Sequence, residues 1–85
     1  MIKITTVGRV TMLLGRWQAR TGRRSSLRAL AQRADVPKDF LYRLDAGLAR
    51  YIDLDALGRL CAALECRPDE ILIVDESDDG QPKPL

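Results

Sequence analysis

The sequence predicts an all-α domain of five short helices, and three observations carry that prediction. Apolar residues recur at helical spacing in two segments, Val10, Leu13, Leu14 and Trp17, then Leu54, Leu57, Leu60, Cys61 and Leu64. Between them, Ser25-Ser26, Pro37 and Gly47 punctuate two further stretches, each with room for a helix of only two or three turns. At 85 residues the chain supplies one hydrophobic core rather than two.

Taken in order, Ile2 and Ile4 alternate with polar neighbours, so a short half-buried strand is expected within residues 2–6. Two partners are open to it: residues 71–75 of the same chain, or another chain, which would make a dimer. The first helix is expected over 7–20, with Thr6 as its N-cap and Gly22 ending it. Ser25-Ser26 then caps a second helix that turns Leu27, Leu30, Ala31 and Ala34 inward. Pro37 disfavours helical geometry at Val36 and suits the first position of a new helix, which places the third helix over 37–45 with Leu41 and Leu44 inward. Gly47 supplies a left-handed cap. Asp53 caps the fourth helix, whose stripe runs Leu54, Leu57, Leu60, Cys61 and Leu64, and Pro68 opens a brief fifth helix that leads to an extended Ile73-Val74. The domain is expected to span 1–74, followed by an acidic, breaker-rich and flexible tail over 75–85.

The net charge of +2 hides a division. Residues 1–52 carry eleven basic against three acidic groups, and residues 53–85 carry three against nine, a formal +8 and −6. The first half therefore projects a field that attracts a polyanion: DNA, RNA or an acidic membrane surface. The longest uninterrupted apolar run, Ile71 to Val74, is far too short to cross a bilayer, and the N-terminus lacks the pattern of a secretory signal, so a cytoplasmic location is expected. With no histidine and only Cys61 and Cys66 as sulfur ligands, no metal site is expected, and the cysteines are read as two thiols packed as small hydrophobes rather than as a disulfide. No Gly-rich phosphate loop, serine elbow or histidine base is present, so neither a catalytic residue nor a cofactor is expected.

The segment 26–47, SLRALAQRADVPKDFLYRLDAG, joins two short helices by a tight turn. Ala31 allows a close crossing, Val36 packs beneath the turn, and Leu41 and Leu44 lock the second helix onto the first, which is a helix-turn-helix. Together with the preceding helix, the loop 47–52, the IDLDALGRLCAAL segment and the PDEIL ending, it resembles the Cro and lambda-repressor (Xre-type) family of helix-turn-helix proteins over roughly residues 7–74. Leu27 stands where that family often has a DNA-contacting glutamine, and Asp35 where its turn usually has glycine, a position whose left-handed backbone a short polar side chain tolerates.

The resemblance implies a sequence-specific regulator of transcription on double-stranded DNA, working as a repressor and binding as a homodimer, with the third helix in the major groove. By motif position it directs Lys38, Asp39, Tyr42 and Arg43 to base edges, and Arg43 suits guanine because a guanidinium bonds both O6 and N7. Arg43 is also placed for an i, i+4 ion pair with Asp39. Arg20, Arg23, Arg24, Arg28 and Arg50, together with Ser25 and Ser26, flank the motif where side chains hold phosphates without reading sequence. Phe40 fits core packing better than a base contact. A second function of a different class stays open: a protein-interaction module of antitoxin-like or anti-repressor type, motivated by Asp39 and Phe40 on the third helix. RNA binding is disfavoured because exposed aromatic pairs that would stack unpaired bases are lacking.

Overall fold

A computed structural model describes residues 2–75. The order of elements is β1 (Lys3–Thr5), α1 (Arg9–Thr21), α2 (Leu27–Ala34), α3 (Lys38–Ala46), α4 (Leu54–Leu64), α5 (Pro68–Ile71) and β2 (Ile73–Asp75). The expected five helices are present, with a two-stranded antiparallel piece joining the two ends of the domain. β1 pairs within the chain, Lys3 opposite Asp75, Ile4 opposite Val74 and Thr5 opposite Ile73. Of the expected tail, all but Asp75 lies outside the described residues, and Asp75 ends β2.

One cluster forms the core: Val10, Leu13, Leu14 and Trp17 from α1, Leu30, Ala31 and Ala34 from α2, Val36, Leu41 and Leu44 around α3, and Ala56, Leu57, Leu60, Cys61 and Leu64 from α4, closed by Ile71. Burial of each large aliphatic side chain here contributes about 1.5 to 3 kcal/mol. Leu54 departs from the expected stripe: it is 77% exposed, because at the first position of α4 it lies outside the packed face, and Ala56 is buried instead.

Local signals fix most boundaries. Ser26 caps α2 by accepting the Ala29 N–H at 3.1 Å, and Asp53 caps α4 by accepting from Asp55 N at 2.9 Å. Pro37 is the N-cap of α3 in extended geometry rather than its first helical residue, so α3 starts one residue later than expected. Three helices end in the same way. Asp35, Gly47 and Glu65 take left-handed backbone, and the next residue donates its N–H to the carbonyl five positions back: Val36 to Ala31, Leu48 to Arg43 and Cys66 to Cys61. The Asp35 turn sets α3 across α2.

The start of α1 corrects the sequence reading. Gly8, not Thr6, is the N-cap, and it has no side chain to offer. Asp45 of α3 supplies the missing acceptor, taking the Thr11 N–H at 2.9 Å and the Thr11 hydroxyl at 2.6 Å, while Gly8 N–H donates to the Asp45 carbonyl at 2.9 Å. Thr6 is buried and donates its hydroxyl to the Leu44 carbonyl. The C-terminal end of α3 is thereby tied to the N-terminal end of α1 by side-chain and backbone bonds together.

Candidate nucleic-acid interface

With Leu41 and Leu44 buried and its C-terminal end tethered, α3 has one face left for solvent. That face carries Lys38, Asp39, Tyr42 and Arg43, all exposed, so the structure brings together the four residues assigned to base edges. Arg43 Nη1 lies 3.9 Å from Asp39 Oδ2, with both side chains more than half exposed, a loose i, i+4 pair worth about 0.2 to 0.5 kcal/mol. Lys38 Nζ sits 6.0 Å from the centre of the Tyr42 ring. The second contact is at the outer limit of a cation–π interaction, and neither fixes its cation rigidly.

Two surface grooves border this face. The first is lined by Pro37, Asp39, Phe40, Arg43, Leu48, Ala49, Arg50 and Tyr51, between α3 and the loop that follows it. The second is lined by Arg28, Ala31, Gln32, Asp35, Val36 and Lys38, in the angle between α2 and α3. Each holds two cations and one carboxylate, so the outward side of α3 is cationic on both flanks. Phe40 is partly buried and packs against the core, as expected.

The residues assigned to phosphates divide into two sets. Arg24, Arg28 and Arg50 are exposed and make no hydrogen bond or ion pair among the described residues. Their charges are free to meet an external anion. Others carry structural bonds: Arg20 Nη2 donates to the Leu64 carbonyl at 3.1 Å, Ser25 N–H donates to Gln18 Oε1 at 2.8 Å, and Ser26 Oγ caps α2. Arg23 lies over the Trp17 ring, 5.4 Å from its centre.

Sequence reasoning missed three features of this surface. Tyr51 is 93% exposed and Leu48 64% exposed beside Arg43, and no periodicity marks a loop residue as surface. Asp45 faces Thr11 across 34 positions, a separation that leaves no local pattern. Arg33, on α2, stacks over Trp17 at 3.9 Å and bonds to Ser25 and the Ala63 carbonyl.

Among the described residues, no group of three or more metal-ligating side chains is assembled, and no helix is long and apolar enough to cross a membrane. A family model for the Cro/C1-type HTH DNA-binding domain matches residues 17–77, the larger part of the chain. No curated protein and no solved structure matches it.

Proposed function

The chain belongs to the Cro/C1-type helix-turn-helix DNA-binding family, and from that premise we propose that it is a sequence-specific regulator, a repressor that occupies promoter DNA. The observation that carries this reading is the solvent-facing side of α3, where Lys38, Asp39, Tyr42 and Arg43 stand together on a helix tethered at Asp45. A rigid helix presenting long polar side chains matches the major groove in width and in hydrogen-bonding character. Arg43 reads guanine, and Lys38, Asp39 and Tyr42 contact neighbouring base edges. Arg24, Arg28 and Arg50 hold phosphates with their free guanidinium groups, while Arg20, Arg23, Ser25 and Ser26 add contacts from the ends of α1 and α2.

Two copies bind as a homodimer, with their recognition helices about 34 Å apart on an inverted repeat. Support for a second copy comes from exposed Ile4 and Val74, paired on the two-stranded piece, and from exposed Ile2 just before it, apolar groups that one chain leaves open. Selection of bound duplexes from a random pool tests the whole reading. An enriched inverted repeat is the expected result, and no enrichment at low salt would overturn it.

The groove of Phe40, Leu48 and Tyr51 favours one other reading, because aromatic and aliphatic groups beside two arginines also suit a protein partner. Reversing the charges of Arg28 and Arg43 separates the two. The regulator loses duplex binding, whereas the interaction module keeps its partner and binds no duplex even in the parent chain.

A further inference from the structure

The left-handed corners that end α2, α3 and α4 each bring two side chains together, and at the end of α4 both of them are thiols. In such a corner the residue after the left-handed one bonds to the carbonyl five positions back, and the side chains of the two meet on one side of the chain. At the end of α2 the pair is Ala31 and Val36, and at the end of α3 it is Arg43 and Leu48. At the end of α4 it is Cys61 and Cys66, joined by a backbone bond of 3.0 Å. A direct bond of that kind keeps the two Cα atoms inside the roughly 4.4 to 6.8 Å that a disulfide spans. The side chains meet as well, because Cys66 donates a thiol hydrogen bond to Cys61. Both are free thiols, Cys61 buried and Cys66 half-buried.

Two neighbouring helices hold on to this corner. Arg33 of α2 bonds to the Ala63 carbonyl and Arg20 of α1 to the Leu64 carbonyl, each at 3.1 Å. Both carbonyls lie between the two cysteines in the chain. A covalent link from Cys61 to Cys66 would therefore close a ring around them, and it would remove from the unfolded chain every conformation in which the corner is open. Burial, the largest influence on both thiols, keeps them protonated; Glu70 of α5 adds to it at each, and Arg16 of α1 opposes it at Cys66. The thiolate is the attacking species, so exchange at neutral pH is slow and begins at Cys66, the less buried of the two. The same burial denies the reduced pair the thiolate stabilisation that makes a dithiol strongly oxidising, which favours the closed bridge.

We propose that Cys61 and Cys66 form a thiol–disulfide lock on the corner between α4 and α5, closed by a small-molecule disulfide and reopened by small thiols. The Cys66 thiolate attacks one sulfur of the small disulfide and expels the other as a thiolate, which takes up the proton that Cys66 released. Cys61, deprotonated in turn, attacks Cys66 Sγ in this mixed disulfide and expels the second small thiol. Two protein thiols are oxidised to one disulfide while one small disulfide is reduced to two thiols. The lock requires no DNA. It sets how firmly the chain holds the corner on which α1 and α2 are anchored, whatever the domain binds.

The test equilibrates the full chain in oxidised and reduced glutathione at stepped ratios, quenches with acid and reads the intact mass. The same series is run in urea, where the chain is unfolded. Circular dichroism melts compare oxidised with reduced chain, and Cys61→Ala and Cys66→Ala are the variants. The expected product is a chain lighter by two hydrogens with no lasting glutathione adduct. Its equilibrium constant for closure should exceed that in urea about tenfold or more, because the fold has already brought the thiols together. The oxidised chain should melt about 5 to 10 °C above the reduced one, and the gain should vanish on reduction. Cys61→Ala should instead accumulate one glutathione on Cys66, since no second thiol resolves it, and neither variant should gain stability on oxidation. A parent chain that keeps its glutathione adduct, or that links to a second copy, would overturn the lock. So would a closure constant no greater in the folded chain than in urea, a comparison that needs the parent alone and stands even where a variant fails to fold.

Discussion

Asp45 caps a helix to which it does not belong: its carboxylate accepts both the backbone N–H and the hydroxyl of Thr11, at 2.9 and 2.6 Å. The first N–H groups of α1 lack partners within that helix, and Gly8 at its N-cap brings no side-chain oxygen. A negative charge at a helix N-terminus is favourable besides. Asp45 sits in the last turn of α3, so one contact satisfies α1 and fixes the angle at which α3 leaves the core.

Asp45→Ala is therefore expected to destabilise the fold by about 1 kcal/mol, within the range of about 0.5 to 2 for loss of a capping side chain. Asp45→Asn should lose less, since it keeps an acceptor and drops only the charge. Urea denaturation measures both. A stability equal to the parent's in Asp45→Ala would mean that the backbone bond from Gly8 to the Asp45 carbonyl suffices alone.

Gly47 tests the other side of the same junction. Its φ is +75°, and a Cβ added there would clash with Val7 Cγ2. Val7 is exposed, so its side chain can turn away, but the left-handed backbone remains strained by about 1 to 2 kcal/mol for an L-residue with a Cβ. Gly47→Ala should lower the melting temperature. Adding Val7→Ala should recover only the steric part, and full recovery by the double variant would show that the clash, not the backbone, sets the cost.

Glu65 presents the reverse situation. It occupies the left-handed end of α4 at φ +53° with a Cβ that glycine would not carry. Glu65→Gly relieves that strain while loosening the unfolded chain, so a net gain of about 0.5 to 1 kcal/mol is expected in thermal denaturation. A loss would assign Glu65 a stabilising role toward the nearby Arg33 charge that outweighs backbone strain.

What was legible in the sequence depended on how far each cause reaches along the chain. Ser26, Asp53 and Gly47 act on residues within one turn, so their caps could be read directly. The inward residues of α1 and α3 followed from period alone, whereas the outward set Lys38, Asp39, Tyr42 and Arg43 followed from motif position in the family resemblance, and all four are exposed. The failures are long-range or terminal. Thr6 has the chemistry of a cap, yet its hydroxyl is taken by the Leu44 carbonyl 38 positions away, and Asp45 replaces it. Leu54 fits the stripe by spacing, but at the first residue of a helix the facing layer no longer covers it. The stacking of Arg23 and Arg33 on Trp17 joins three elements and leaves no mark on any one of them.

Alkaline pH should weaken the fold through the cysteines. Both are free thiols at the end of α4. Burial pushes Cys66 from an ordinary 9.0 up to about 12, helped by the proximity of Cys61, to which it donates a hydrogen bond; burial raises Cys61 as well. Below about pH 9 folded and unfolded chains both keep the Cys66 proton. Above that the unfolded chain releases it first, so the unfolded state binds fewer protons and stability falls as pH rises toward about 12. The difference in stability between the parent and Cys66→Ser should therefore narrow or reverse across this window, in urea titrations at stepped pH. A difference independent of pH would remove the thiol from the account.

The Asp39–Arg43 pair should matter to DNA and hardly at all to folding. At 3.9 Å between two exposed groups, its loss changes stability by no more than about 0.5 kcal/mol. On a duplex, Asp39→Ala removes a carboxylate from the surface proposed to face DNA, so affinity for unrelated sequences should rise. The freed Arg43 guanidinium should also discriminate less sharply at its base pair. Arg43→Ala should cost about 1 to 3 kcal/mol of discrimination at that pair, roughly 5- to 150-fold, while leaving binding to unrelated duplexes nearly intact. Competition assays with single base-pair changes in the selected site separate the two effects. A uniform loss over all duplexes on Arg43→Ala would make this arginine a phosphate contact and shift the reading of sequence to Lys38 and Tyr42.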